Sequence, residues 1–456
     1  MKRILSLFLS IMLILSLALG MSACLGETGT SDNGNSGGDT GNGGDTGNSG
    51  GDTGNNGGDT GSSGGDTGNN GGDTGDNGGR PGNNGGQTPA TPAIELTYQL
   101  SGDGSYYIVT GGKNVAGVMV IPEMHEGKPV KEIAARAFSD ERALREVVLP
   151  DSLTAIGESA FSSCYGLARL TIGKGLSALD EYCFNSCPIV EIYNRSAIPM
   201  VVGGEGYLQY NARHIYGEGG TSRITNEDGY MIYTEGNSRI LLGYLGEGTK
   251  LALPAGITEI GRYALSYNTK VTEITVPDSV TTLGEGAFSA CVYLTTATVG
   301  TGITVLPDYT FSGCMRLTDV TLPDGLTTLQ RFVFNSCRAL ESITLPDSVT
   351  ELGLDAFSSC TALKNVDLGA GLARISDNAF YGCTALEEIT LPASLKVIYE
   401  GIFSKCSSLT RVIFEDTNGW TINKNPVDPA VFETPEAAAE ALKSTYDDYI
   451  WKKETA

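Results

Sequence analysis

The chain has 456 residues, with 30 Lys plus Arg against 53 Asp plus Glu and a formal net charge of −23. That balance, with no basic stripe along the sequence, excludes a nucleic-acid partner and charge-driven docking on an anionic lipid surface. A hydrophobic content of 40% is ample for a core, and the excess of glycine (62 residues) is local, which shows where order begins.

Lys2 and Arg3 precede an uncharged apolar run from Ile4 to Leu19, and Gly20-Met21-Ser22-Ala23 bring small residues up to Cys24. This predicts a secretory signal over 1–23, because the apolar run is too short and wrongly flanked for a transmembrane helix. The residues before Cys24 resemble a bacterial lipobox. The resemblance implies that the Cys24 thiol is acylated and becomes the mature N-terminus, a lipid anchor on the outer side of a bacterial membrane.

Residues 24–93 hold this cysteine and a Gly/Asp/Thr/Asn-rich linker. Blocks such as NSGGDTG and NNGGDTG recur, with no aliphatic residue from Ser31 to Gln87. Such a segment cannot bury enough apolar surface to offset chain entropy. It reads as a flexible spacer with an r.m.s. reach of about 45 Å. A calcium β-roll is rejected, because each of its turns needs an aliphatic residue.

An N-terminal β cap is expected over 94–130. LTYQLSGDGSYYIVTG reads as a hairpin that turns at Gly102-Asp103-Gly104 and directs Tyr98, Leu100, Tyr107 and Val109 toward the next element.

From Lys131 the sequence is periodic. Phe138, Phe161 and Phe184 are 23 residues apart; Phe288, Phe311, Phe334, Phe357, Phe380 and Phe403 keep that spacing, and Leu265 fits one period before them. A fixed period of this length predicts a solenoid of short parallel strands, since one coil cannot bury its own apolar side. The strand is the alternating segment, as at Ile343 and Leu345, and in most coils a proline ends it (Pro150, Pro277, Pro323, Pro346, Pro392). Ten coils are visible, over 131–187 and 251–414. At roughly 4.8 Å per coil they make a rod about 50 Å long.

Segments such as LESITLPDSVTELGLDAFSSC resemble the BspA-type leucine-rich repeats of bacterial surface proteins, from Lys131 to Phe414 apart from a central interruption. The resemblance implies a leucine-rich-repeat solenoid displayed at the cell surface. It further implies adhesion to a host or bacterial protein or glycan, without naming the ligand. A non-catalytic structural role in the envelope is the alternative.

Eight cysteines (Cys164, Cys187, Cys291, Cys314, Cys337, Cys360, Cys383, Cys406) lie three residues after the Phe position; only Cys24 and Cys183 fall outside. Repetition at one core position favours small buried thiols over disulfides, although export would permit bridges. Residues 188–250 form an insertion, because 81 residues separate Phe184 from Leu265. It contains a Tyr-rich irregular stretch and a hairpin, GYMIYTEGNSRILLGY, and either projects from the rod or splices two stacks. Residues 415–456 form a C-terminal cap whose helix starts at Thr434-Pro435-Glu436 and places Leu442, Tyr446, Tyr449 and Ile450 on one face.

Neither His125 nor His214 has a cysteine at zinc spacing, and no catalytic or phosphate-binding motif occurs, so no metal, cofactor or enzymatic activity is expected. The candidate site is the outward face of the strands. Alternation places Thr171, Thr275, Thr298, Thr321, Thr344, Asp367 and Thr390 in one column. Arg169, Glu273, Thr296, Asp319, Ser342, Asn365, Glu388 and Arg411 form its neighbour. The Tyr-rich stretch at 207–219 competes as the site, since loops often carry function.

Overall fold

The computed structural model describes residues 93–454 apart from 181, 205–207 and 209–210. The signal, Cys24 and the linker up to residue 92 lie outside the described residues.

One coil shows how the sequence builds the others. Ser342–Thr344 is a short strand whose middle residue, Ile343, points inward while its neighbours are exposed. Leu345 is buried next, and Pro346 ends the strand because it has no N–H to donate. The chain then makes a second strand of only two residues, Glu351–Leu352, with Leu352 in the core. Sequence periodicity did not reveal this second strand. Beyond it, Asp355 (φ 54°) and Ser359 (φ 62°) take left-handed backbone conformations on either side of Phe357.

These left-handed positions recur in nearly every coil, and most are not glycine: Tyr309, Phe332 and Asn378 match Asp355, while Tyr267, Ala290, Ser336 and Lys405 match Ser359. Such conformations cost about 1–3 kcal/mol each unless the surroundings over-determine them. Here the next coil does so. The backbone N–H groups of Asp355, Phe357 and Ser359 donate to the carbonyls of Asp377, Ala379 and Tyr381 at 3.0, 2.7 and 2.7 Å. Most coils are therefore tied to the next along three sides, by two strand ladders and by this turn ladder.

The phenylalanines stack along the axis. Phe357 lies 5.3 Å from Phe334 and 5.4 Å from Phe380, with all three fully buried. The nine described cysteines are buried free thiols. Each of the eight in register donates to the carbonyl of the Phe-position residue one coil back, for example Cys360 Sγ to Phe334 O at 3.1 Å and Cys337 Sγ to Phe311 O at 3.2 Å. Burial pushes the Cys360 thiol up to about 12, far from thiolate formation. The folded protein is thus expected to leave these nine thiols unreactive toward iodoacetamide, and denaturant should release all nine. Alkylation at the native rate in denaturant, or bridges found by non-reducing mass spectrometry, would remove the thiol column.

Among the described residues the array has thirteen strand-bearing coils in two stacks, five and eight. The three beyond the ten visible in the sequence carry strands Glu191–Asn194, His214–Tyr216 and Arg411–Phe414, which close the two stacks at their C-terminal ends and are followed by no phenylalanine in register. The segment read as an insertion therefore does not project as a whole. Glu191–Asn194 and His214–Tyr216 extend the first stack in parallel register. The hairpin Tyr230–Glu235 and Ser238–Tyr244 begins the second, with Ile240 opposite Glu259.

The insertion splices two stacks that meet across Ala168 and Val190 on one side and Ile224, Met231, Tyr233, Ile240 and Leu242 on the other. Arg145, 4% exposed, is clamped in this junction. Its Nη1 donates to the Arg142 carbonyl at 2.8 Å. A Cβ on Gly166 would lie 1.4 Å from that nitrogen, and one on Gly243 would lie 2.7 Å from Nε, so both glycines make room for the guanidinium.

At the N-terminal end, Glu95–Leu100 pairs with Tyr107–Lys113, and Val109 is buried. Leu100 is instead 41% exposed, because it lies at the strand tip beyond the reach of the first coil. At the other end Thr434 caps α1 (Pro435–Glu440), its Oγ1 accepting from Ala437 N at 3.1 Å. The helix is shorter than the sequence pattern implied. It continues as one wide turn over Ala441–Thr445, and Tyr446, Tyr449 and Ile450 fall outside it. The chain leaves the helix because Trp451–Lys453 turns back to pair antiparallel with Val397–Ile398 and with Trp420–Ile422. An antiparallel strand there closes the edge of the solenoid's second sheet.

Candidate binding face

The structure puts Thr275, Thr298 and Thr321 side by side on adjoining strands, pairs Thr344 with Asp367, and sets Thr390 on the strand Glu388–Leu391. All face outward; Thr298 is half-buried and the other five are exposed. Thr171 does not join them. It belongs to the first stack, half-buried between Val148 and Tyr193, on the far side of the splice.

Threonine recurs in several columns, and the columns differ in what their hydroxyls do. Thr295 and Thr318, just before the first strand, donate to the carbonyls of Thr272 and Thr295 at 2.9 and 3.2 Å. Thr327 and Thr350, beside the second strand, donate to Thr304 and Thr327 at 3.0 and 3.4 Å. Those side chains stitch coils together. Among the described residues no hydrogen bond engages the Oγ1 of Thr275, Thr298, Thr321, Thr344 or Thr390. β-branching suits them to a strand, but their hydroxyls remain available to something outside the chain.

The face is not flat. A concavity of about 550 Å³ opens across the strands Ser342–Thr344, Asn365–Asp367 and Glu388–Leu391. It spans one of two places where the first-strand ladder parts; the other lies between Asp319–Thr321 and Ser342–Thr344. Asn365–Asp367 and Glu388–Leu391 fall in separate sheets, whereas the second strands of the same coils, Arg374–Ile375 and Val397–Ile398, remain paired. Ile343, Val366 and Ile389 form its floor; Thr344, Asp367, Thr390, Lys364, Glu387 and Glu388 stand around it. Lys364 and Glu387 were missed by strand alternation because they precede the strand.

The charges of the face are partly spent internally. Lys364 meets Glu341 at 3.1 Å, and Arg411 bridges Glu388 and Glu436 at 2.6 Å each. Among the described residues the Asp367 carboxylate accepts only the Gly369 backbone N–H, at 3.1 Å, and no cation meets the carboxylate of Asp367 or Glu387.

The Tyr-rich stretch presents a different surface. In the first stack the outward column runs Val120, Val148, Thr171, Tyr193, Tyr216, with the last two rings 5.1 Å apart. The segment at Ser222 and Arg223 crosses over this sheet. Ser222 Oγ and Arg223 N donate to the fully buried Glu191 carboxylate at 2.8 and 2.7 Å, and Arg169 donates to Ser222 and pairs with Glu146. Burial raises the Tyr193 and Tyr216 hydroxyls above their usual range. Most polar groups here are satisfied by the chain itself, the buried Tyr216 hydroxyl and Arg169 Nε excepted.

Among the described residues no group of three or more His, Cys, Asp or Glu side chains is placed to hold a metal ion, and no helix is long and apolar enough to cross a membrane.

The sequence profile of the BspA type Leucine rich repeat region matches in six copies over residues 123–199, 244–364 and 328–425, together more than half of the chain, and leaves the splice at 200–243 unmatched. Similar solved structures include a leucine rich cell surface protein from Faecalibacterium prausnitzii, 23% identical over 61% of this chain and 96% of that one, with a TM-score of 0.34. The leucine-rich repeat protein of T. pallidum is 26% identical over 42% of this chain and 83% of its own, with a TM-score of 0.31. The pneumococcal vaccine antigen PcpA is 16% identical over 71% and 97%, with a TM-score of 0.29. No curated protein matches the chain by sequence.

Proposed function

Because the chain belongs to the BspA-type leucine-rich-repeat family, we propose that it is a bacterial surface protein that binds a protein or glycan of another cell through the strand face of its second stack. Acylated Cys24 holds it to the outer side of the membrane, and the Gly/Asp-rich linker gives the solenoid reach. The unengaged threonine hydroxyls are the observation that carries the binding reading, since the columns through Thr295 and Thr327 tie coils together and this one does not. Extended repeat faces commonly serve as binding surfaces.

Two measurements test it. Cys24→Ser should abolish labelling by a clickable fatty acid; a label that persists in the mutant removes the anchor. For binding, the protein is screened on arrays of extracellular-matrix proteins and cell-surface glycans. Thr321→Lys with Thr344→Lys is expected to lower binding to the captured ligand at least tenfold, with circular dichroism unchanged. Tyr193→Ala in the first stack should leave binding intact. The reverse pattern would move the site to the splice, and an absence of any captured ligand would favour an architectural role in the envelope.

A further inference from the structure

We propose that the concavity across Ser342–Thr344, Asn365–Asp367 and Glu388–Leu391 takes an extended cationic peptide segment of a partner protein, with a lysine or arginine side chain entering between Asp367 and Glu387. This rests on the strand face being the binding face and adds the class of ligand.

Three features of the concavity converge on that occupant. Its floor is apolar: Ile343 and Ile389 are buried and Val366 is half-buried. Such a floor suits the methylene stem of lysine or arginine, which packs on apolar surface while its head stays polar. Its rim is acidic: Asp367, Glu387 and Glu388 stand around it with Lys364 as the only cation among the lining residues. Lys364 is held by Glu341, and among the described residues Asp367 and Glu387 have no cationic partner. An incoming ammonium or guanidinium therefore finds carboxylates that need not break an internal ion pair. The third feature is hydrogen-bonding capacity. Thr344, Thr390, Ser342 and Asn365 present hydroxyl and amide groups without partners among the described residues, spaced from coil to coil along the face.

An extended backbone offers alternating N–H and C=O groups to such a row, as strand-adding peptides do. A neutral glycan would use the hydroxyls but would leave the carboxylates unengaged, and an anionic ligand would be repelled. Complementary charge also speeds encounter and sets specificity. One parting of the ladder, between Asn365–Asp367 and Glu388–Leu391, falls within this concavity.

The probe is a fluorescein-labelled decapeptide of alternating lysine and threonine, titrated into the full chain in 50 mM and 500 mM NaCl. An alternating glutamate-threonine decapeptide and a neutral glucan hexasaccharide serve as comparators. Saturable binding of the lysine peptide alone is expected, weakened at least tenfold by the added salt. Asp367→Lys with Glu387→Lys should weaken it at least tenfold at 50 mM NaCl, and Asp367→Asn with Glu387→Gln by less. Asp324→Lys with Glu433→Lys changes the net charge equally on exposed residues elsewhere and should leave binding within twofold. Equal losses in both reversal variants would reduce the effect to overall charge and overturn the site. Binding of the hexasaccharide, or no binding of the lysine peptide while the array ligand still depends on Thr321 and Thr344, would overturn the cationic ligand and leave the binding face standing.

Discussion

Replacing Phe357 by alanine is expected to cost about 3–5 kcal/mol, the range for removing a fully buried aromatic side chain, and to split the unfolding of the second stack. Phe357 is fully buried and sandwiched between Phe334 and Phe380 with ring planes within 12° and 2°. A solenoid's stability is a sum of coil terms and nearest-neighbour interfaces. The cavity would therefore weaken the two interfaces that Phe357 fills and leave distant coils intact. Urea unfolding followed by circular dichroism should show two transitions where the parent shows one. A single transition with an unchanged midpoint would mean that the aromatic column does not couple the coils.

Trp451→Ala is expected to be comparably damaging, about 3–5 kcal/mol, by a different route. Trp451 is fully buried and sits among Phe414, Phe432, Tyr446 and Trp420, with ring centroids 6.0–6.5 Å from its own. It also anchors the strand that pairs with Val397–Ile398. Losing it should free the cap from the last coil and expose Phe414 and the edge strand behind it. The expected readouts are a lowered melting temperature, faster limited proteolysis confined to residues after Phe414, and concentration-dependent association. Proteolysis spread evenly over the array would show that the cap does not protect its end.

The coil was legible because three residue types mark it with one period: Phe at the axis, Cys three residues on, Pro after the strand. What escaped the sequence has identifiable causes. The second strand, as at Glu351–Leu352, is two residues long and too short for alternation to register. The coils at Glu191–Asn194, His214–Tyr216 and Arg411–Phe414 carry no Phe to announce them. The helical reading of Tyr446 to Ile450 failed because burial of Trp451 against the last coil outweighs local helix preference.

At the candidate site, alternation found the outward column and nothing more. It could not show that Thr327 donates to a neighbouring coil while Thr344 does not, because both are threonines beside strands. Nor could it separate Thr171 from the rest, since that division depends on how the splice seats the two stacks. The parting of the ladder beside Asp367 is equally invisible, as the coils on either side share one consensus.

The repeat also shapes how the chain reaches this structure. Most side-chain bonds between coils link residues at nearly one fixed separation: Thr327 with Thr304 and Arg374 with Glu351 at 23, Cys360 with Phe334 at 26. Adding coils adds contacts of the same short loop length, so the entropy of closing each one does not grow with the array, and low contact order favours rapid folding. The long closures are few and sit at the splice and the cap, as between Arg169 and Ser222 at 53 and between Lys453 and Asp416 at 37. Each stack is therefore expected to zip up on its own, with the seating of one stack on the other around Arg145 as the late, slow event.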